Sequence, residues 1–252
     1  MIDNRFNSLK EAMPGVIATK NKTGFMTTEL SDTAKQYIEF AESCDSVLEI
    51  GCAYGITVFP VLDFEKVTVN VVDLSEDHLN FIRSQLTPAQ KMYFRPSIGN
   101  FPKDVGYGPN SFDAIYIGNV LHFLRGEYVT WGLERCFQWL KPGGKIFATV
   151  CSPYFPYYTK FVDLYHQRQK CKVRWPGEME NHQDYIPDDA PEAQKQADID
   201  YLNVFTKEDL ADKFREVGFA IEQSTYFALE TATHLKYTDD SRSFVGIIAK
   251  KP

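Results

Sequence analysis

The run Ser46-Val47-Leu48-Glu49-Ile50-Gly51-Cys52-Ala53-Tyr54-Gly55 restricts the fold more than any other stretch of the chain. A short strand ends there in a glycine turn, and the turn opens a helix. Glycine takes positive φ without a Cβ clash and lets a ligand come close to the backbone. Residues 67–73 (VTVNVVD) form a second strand, β-branched as a buried parallel strand should be. It ends in Asp73, eighteen residues past Gly55, where a carboxylate can accept hydrogen bonds from both hydroxyls of a ribose. A dinucleotide loop would read GxGxxG. This one reads GxAxG followed by Ile56, which disfavours NAD(P).

The strand–helix alternation continues. Ser75 is placed as an N-cap, with Glu76 and Asp77 at the positive end of a helix that buries Leu79, Ile82 and Leu86 and stops at Thr87-Pro88. A short strand is expected at residues 91–95 and another at 112–118. A helix over 127–140 then turns Val129, Leu133, Cys136, Phe137 and Leu140 inward. Lys141-Pro142-Gly143-Gly144 suits a type II turn into a strand at 145–150. Pro60 falls early in the helix after the glycine turn, where its missing N–H shortens or kinks the helix. Near the C-terminus, Thr206 caps a helix with Leu210, Phe214 and Val217 on its buried face and Gly218 past its end. Strands at 219–227 and 243–249 have no helix between them, so they should pair antiparallel at the sheet edge. The expected fold class is α/β, a three-layer sandwich with a mostly parallel sheet covered by helices on both faces.

Composition removes several functions. The 252 residues carry 27 Lys and Arg against 34 Asp and Glu, a net charge of −7, so nucleic acid is not the expected partner. Five scattered cysteines (44, 52, 136, 151 and 171) lack CxxC pairing, and the five histidines lack metal spacing. Neither a disulfide framework nor a metal site is expected. The longest apolar stretch, 112–124, is broken by Asp113, Asn119 and His122, and the first fifteen residues lack the apolar run of a signal peptide. A cytoplasmic protein away from the membrane is expected. Residues 152–204 interrupt the alternation. They begin with Tyr154, Phe155, Tyr157, Tyr158, Phe161 and Tyr165. Residues 160–174 then carry five Lys and Arg against one Asp, and residues 175–200 carry eight Asp and Glu against one Lys. We read this segment as an insertion over the C-terminal edge of the sheet, with its charged runs solvated and pairing with one another.

Taken together, these motifs resemble the class I S-adenosylmethionine-dependent methyltransferases, whose loop follows E/D-x-G-x-G-x-G. Their Rossmann-like sheet has seven strands, the last one antiparallel and inserted beside its neighbour. The resemblance covers roughly residues 30–150 and 205–250. It implies one methyltransferase domain over 1–252: an N-terminal arm and lid (1–30), a cofactor core (31–151), a substrate-lid insertion (152–204) that forms the acceptor pocket with the arm, and a C-terminal helix with an antiparallel strand pair (205–252). It also implies roles for residues. Gly51, Cys52, Ala53 and Gly55 would line the methionine moiety, and Glu49 would support the loop and, through water, the amino group. Asp73 would hold the ribose, with Leu74 beside the adenine. Asn100 and Phe101 would meet the adenine edge, and Asn119 would approach the amino group. The chain departs from the family pattern at Ala53, where the middle glycine is usual, and at Asn100, where an acid is common.

The resemblance implies transfer of the methyl of S-adenosylmethionine, with S-adenosylhomocysteine as product, by in-line attack on an already activated sulfonium methyl. Positioning and water exclusion are then the main tasks. His122 is the candidate base, and Tyr154 (or Tyr157) a candidate for orienting the acceptor. The sequence after the fourth strand, Asn119-Val120-Leu121-His122, is not the N/D-P-P-Y of exocyclic-amine methyltransferases. The expected acceptor is a small molecule, apolar or aromatic. The alternatives are a protein or peptide methyltransferase that docks through the charged insertion, or a non-catalytic partner protein that binds the cofactor.

Overall fold

In the computed structural model, the described residues are 4–13, 15–22, 24–188, 190, 192–196, 199–229 and 241–252. The chain opens with three short strands, β1 (Glu11–Met13), β2 (Val16–Ala18) and β3 (Phe25–Thr27), paired antiparallel in that order. Ser31 caps α1 (Asp32–Ala41) by accepting from the Ala34 N–H. Then come β4 (Ser46–Ile50), the five-residue α2 (Val58–Leu62) that contains Pro60, β5 (Thr68–Asp73), α3 (Glu76–Gln85), α4 (Pro88–Lys91) and β6 (Phe94–Ile98). The second half runs β7 (Phe112–Gly118), α5 (Gly126–Trp139), β8 (Leu140–Cys151), α6 (Val162–Lys170), β9 (Glu178–Glu180), α7 (Glu192–Lys195), β10 (Tyr201–Asn203), α8 (Lys207–Val217), β11 (Ala220–Phe227) and β12 (Phe244–Lys250).

Seven strands form the main sheet in the order β11-β12-β8-β7-β4-β5-β6. From β8 to β6 every pair is parallel. The last strand, β12, is antiparallel and sits between β11 and β8. It lies inside the sheet, so six of its seven residues are buried. The alternation of each strand assigns its side chains to two cores. Val47, Val69, Val71, Ala114 and Tyr116 face Leu79 and Ile82 of α3 and Tyr37 of α1. Leu48, Ile50, Val72, Ile115 and Ile117 face Val129, Leu133 and Cys136 of α5 and Leu210 and Phe214 of α8. The result is a helix–sheet–helix sandwich. Strand order reverses between β4 and β7, and in an open α/β sheet the crevice beyond the strand ends at such a point is where ligands bind.

Three expectations are corrected, and the aromatic start of the insertion packs as its helical spacing allowed. The third strand runs Phe94–Ile98 rather than 91–95, because Thr87 and Gln90 form a capping box that winds Pro88–Lys91 into one more helical turn. The Pro-Gly-Gly turn does not separate two elements. It is absorbed into β8 as an irregularity opposite Phe112 and Ala114, with the Gly143 N–H donating to the Lys251 carbonyl (2.9 Å). The aromatic start of the insertion makes a third core, in which Phe155, Tyr157, Tyr158, Phe161 and Tyr165 pack on Met179, Leu202 and Phe244. Among the described residues no ion pair joins the two charged runs. Glu180 binds Arg125 through both oxygens (2.5 and 3.0 Å), Glu178 accepts from the Gly126 N–H (3.0 Å), and Arg174 faces Glu216. These contacts fasten the β9–β10 hairpin to the start of α5. The connection between β11 and β12 over 230–240 lies outside the described residues. Among the described residues no helix is long and apolar enough to cross a membrane.

Candidate active site

A cavity of about 370 Å³ lies beyond the C-terminal ends of β4, β5 and β7. The core supplies its floor. Thr19, Gly24, Phe25, Met26 and Thr27 of the arm and Ile199, Asp200 and Tyr201 of the insertion supply walls.

Glu49 ends β4 almost fully buried, with its Oε1 accepting from the Thr57 hydroxyl (2.5 Å). Its Oε2 has no hydrogen-bond partner in the structure. Burial is the main cause that pushes its pKa up, to about 8; the Thr57 hydrogen bond opposes the rise and the Asp73 charge adds to it. A buried carboxyl with an open oxygen is a receptor for a cationic group.

The loop that follows is held by its backbone. Gly51 lies at φ 75° and donates to the Val72 carbonyl (2.7 Å); a Cβ there would come within 2.2 Å of Val120. Ala53 lies at φ 45°, in the left-handed region that disfavours a side chain, and its N–H donates to Asp73 Oδ2 (3.0 Å). Relief of that strain exceeds the flexibility gained by the unfolded chain. Ala53→Gly is therefore expected to raise stability by about 0.5–1 kcal/mol, read from the urea midpoint at constant slope. A lowered midpoint would show that Ala53 is unstrained. Gly55 lines no part of the cavity; it seats the loop against Ile82 and Phe59, where a Cβ would meet Ile82 at 2.9 Å.

Asp73 ends β5 buried beneath the loop. Its Oδ2 accepts from Ala53 and faces the Cys52 thiol (3.6 Å). Its Oδ1 accepts from the Ser75 N–H (2.8 Å) and faces His78 Nδ1 (3.0 Å). Leu74 is exposed at the rim. Asn100 is also exposed, and its carbonyl accepts from the Asp104 N–H in a turn (2.8 Å). Phe101 is buried against Trp139, its ring edge-on at 6.4 Å. Asn119, at φ 56°, donates its N–H to the Thr149 carbonyl (2.9 Å) and leaves Oδ1 buried without a partner.

Glu49, Gly51, Cys52, Ala53, Asp73, Leu74, Asn100, Phe101 and Asn119 thus border one cavity. The two candidate catalytic side chains do not join them. His122 lines a smaller annex of about 80 Å³, which shares Phe25, Asn119, Phe123 and Phe244 with the main cavity. Its Nδ1 accepts from the Cys151 N–H (3.2 Å). A backbone N–H can only donate, so the hydrogen of the neutral ring sits on Nε2. Burial, helped by His182, pushes the His122 pKa down to about 3. With one nitrogen occupied and the other already protonated, His122 acts as a hydrogen-bond donor, which corrects its expected role as a base. Tyr154 borders neither cavity. Its ring stacks under the Arg242 guanidinium (3.9 Å) and meets Tyr226 edge-on, which corrects its expected contact with an acceptor.

Sequence reasoning missed Thr57 and His78, whereas the arm was read as part of the lid, and its residues do line the cavity. His78 carried a readable signal. It stands four residues before Ile82 on the buried face of α3, where a polar residue needs a partner.

The methyltransferase-domain family matches the chain over residues 48–146, from the first strand of the core to the start of the fifth. The cofactor core of the chain is thus similar to a methyltransferase domain. The chain also resembles phosphoethanolamine N-methyltransferase 3 of Arabidopsis thaliana, being 27% identical to it over 128 residues; the match takes in 50% of this chain and 25% of that protein. Among solved structures, an S-adenosylmethionine-dependent methyltransferase from Mesorhizobium loti superposes with a TM-score of 0.62 at 18% identity, covering 86% of this chain and 95% of the other. One from Methanosarcina mazei does so with a TM-score of 0.62 at 17% identity, covering 88% and 98%. At such identities the methyltransferase structures share the fold.

Proposed function

We propose that this chain transfers the methyl group of S-adenosylmethionine to a small organic acceptor that carries neither phosphate nor carboxylate. The residues of the cavity fit the cofactor. Open Glu49 Oε2 and the loop backbone around Gly51 and Ala53 would receive the amino-acid end, Asp73 the ribose, and Leu74, Asn100 and Phe101 the adenine. When bound, the cofactor supplies a methyl group on a positively charged sulfur. The chain's own residues do the rest: they fix orientation, exclude water and hold the acceptor in line. Phe25, Phe123 and Phe244 wall the annex that would take the acceptor. Asn119 Oδ1 and His122 Nε2–H offer it an acceptor and a donor.

The charge balance of the cavity carries the choice of acceptor. Glu29, Glu49, Asp73 and Asp200 line it, together with the rings of Phe25, Phe123, Tyr201, Phe227 and Phe244; among the described residues no Lys or Arg does. An anionic acceptor would be desolvated beside like charges, without the guanidinium or ammonium groups that recognise phosphate and carboxylate. The curated relative is named for a phosphorylated amine, and this cavity has no counterpart cation for a phosphate. Incubation with methyl-labelled cofactor and two acceptor panels tests the reading. Label should enter uncharged or amine acceptors, with at least about tenfold lower turnover for their phosphorylated or carboxylated analogues. Preference for the anionic panel would overturn it.

A further inference from the structure

We propose that His78 is a positioning residue that couples the N-terminal arm to the ribose-binding carboxylate, making arm docking and cofactor binding one linked event. The inference rests on the assignment of the ribose to Asp73 and goes beyond it by giving the arm a part in cofactor affinity.

His78 stands in the first turn of α3 and is 1% exposed. Its two ring nitrogens face different parts of the molecule. Nε2 accepts from the backbone N–H of Lys20 in the arm (3.3 Å), and Nδ1 lies 3.0 Å from Asp73 Oδ1. The Lys20 N–H can only donate, so the hydrogen of the neutral ring is on Nδ1 and points at the carboxylate. One imidazole thereby reads the position of the arm on one side and fixes the rotamer of Asp73 on the other.

A second tie runs parallel to the first. Tyr54, within the glycine loop, sets its ring edge-on to His78 (4.9 Å) and donates its hydroxyl to the Ala18 carbonyl (3.1 Å). The chain between and after these anchor points supplies Thr19, Phe25, Met26 and Thr27 to the cavity wall. Displacement of the arm therefore frees Asp73 on one side and removes a wall on the other. The donors around Asp73 also say what the ribose replaces. Ala53, Ser75 and His78 lie at 2.8–3.0 Å, whereas the Cys52 thiol stands at 3.6 Å, and sulfur makes the weaker bond. A bound ribose hydroxyl would take the place of the thiol, while His78 would remain on Asp73.

Two substitutions separate the halves of the link. The amide of His78→Asn can reach the δ position and donate to Asp73, but falls short of Lys20. The longer side chain of His78→Gln can reach the ε position and accept from Lys20, but offers no donor at Nδ1. S-adenosylhomocysteine affinity is measured by calorimetry, and the rate of tryptic cleavage after Lys20 and Lys22 is followed with and without that ligand. In the wild type the ligand should slow cleavage. His78→Asn should stay within about threefold of wild-type affinity yet lose most of the ligand-dependent protection. His78→Gln should bind about tenfold more weakly, as expected for a lost hydrogen bond to a charged partner, while its free arm is cleaved at the wild-type rate. Tyr54→Phe, which loses a single hydroxyl that ties the arm at Ala18, should speed arm cleavage and weaken affinity by about twofold to threefold. Full ligand protection in His78→Asn, or wild-type affinity in His78→Gln, overturns the coupling. Absence of ligand binding by the wild type contradicts the cofactor assignment itself and the coupling with it.

Discussion

Asp73→Ala should weaken S-adenosylhomocysteine binding by about 100-fold or more. Two ribose hydroxyls on one carboxylate form two hydrogen bonds to a charged group, each worth about 1.5–3 kcal/mol, and each 1.4 kcal/mol is a factor of ten. The loss has a second source. Asp73 accepts from Ala53 and Ser75 and faces His78, so its removal leaves buried donors without an acceptor and loosens the glycine loop. Asp73→Asn separates the two contributions. It keeps an oxygen for part of the loop network while losing the charge, so its melting temperature should fall less than that of Asp73→Ala while its affinity still drops by at least about tenfold. Calorimetry and thermal unfolding on the same samples check this. Wild-type affinity in Asp73→Ala would place the ribose elsewhere.

Glu49→Gln should move stability and binding in opposite directions. In the unfolded chain Glu49 titrates near 4.5, and in the fold burial raises it to about 8. Between those values the folded protein holds a proton that the unfolded chain has released, so the contribution of Glu49 to stability is full below about pH 4.5 and falls as pH rises toward 8. The loss amounts to something on the order of 5 kcal/mol, converting the shift at 1.36 kcal/mol per unit. Glutamine has the same shape and no such slope. The melting temperature of Glu49→Gln relative to wild type should therefore rise from pH 5 to about pH 8 and level off above it. S-adenosylhomocysteine affinity should drop by about tenfold or more, because a neutral amide replaces the partner of an ammonium group. A melting-temperature difference independent of pH would mean that Glu49 is ionised in the free protein.

The frame of the molecule was legible because its signals are local. The β-branched run before Asp73, the glycine turn after Glu49 and the capping residues Ser75 and Thr206 each announce a boundary within a few residues, and the structure keeps all of them. The absence of a helical sequence pattern before the last strand likewise anticipated the antiparallel β12. What was illegible depends on distant partners. Three-residue strands are too short for an alternation to stand out, so the strands of the arm went unread although its place in the lid did not. The tyrosines of the insertion carry the same pattern whether they line a ligand or each other; Tyr165 proved to be core, whereas Tyr158 packs in the core and also lines the annex. His122 could be placed near the site from its position after the fourth strand. Its donor role depends on the Cys151 N–H, twenty-nine residues away in sequence. His78 escaped notice for the same reason, since Lys20 lies fifty-eight residues before it.

The central claim is methyl transfer to a small acceptor without anionic groups, and one measurement meets it directly. The protein is incubated with methyl-labelled S-adenosylmethionine and a fractionated extract of its own organism, and the label is followed through size separation and then anion exchange at neutral pH. The account predicts label in the small-molecule fraction that the anion exchanger does not retain, and loss of that label in Asp73→Ala. Label in protein, in retained anionic metabolites, or in no fraction would contradict it.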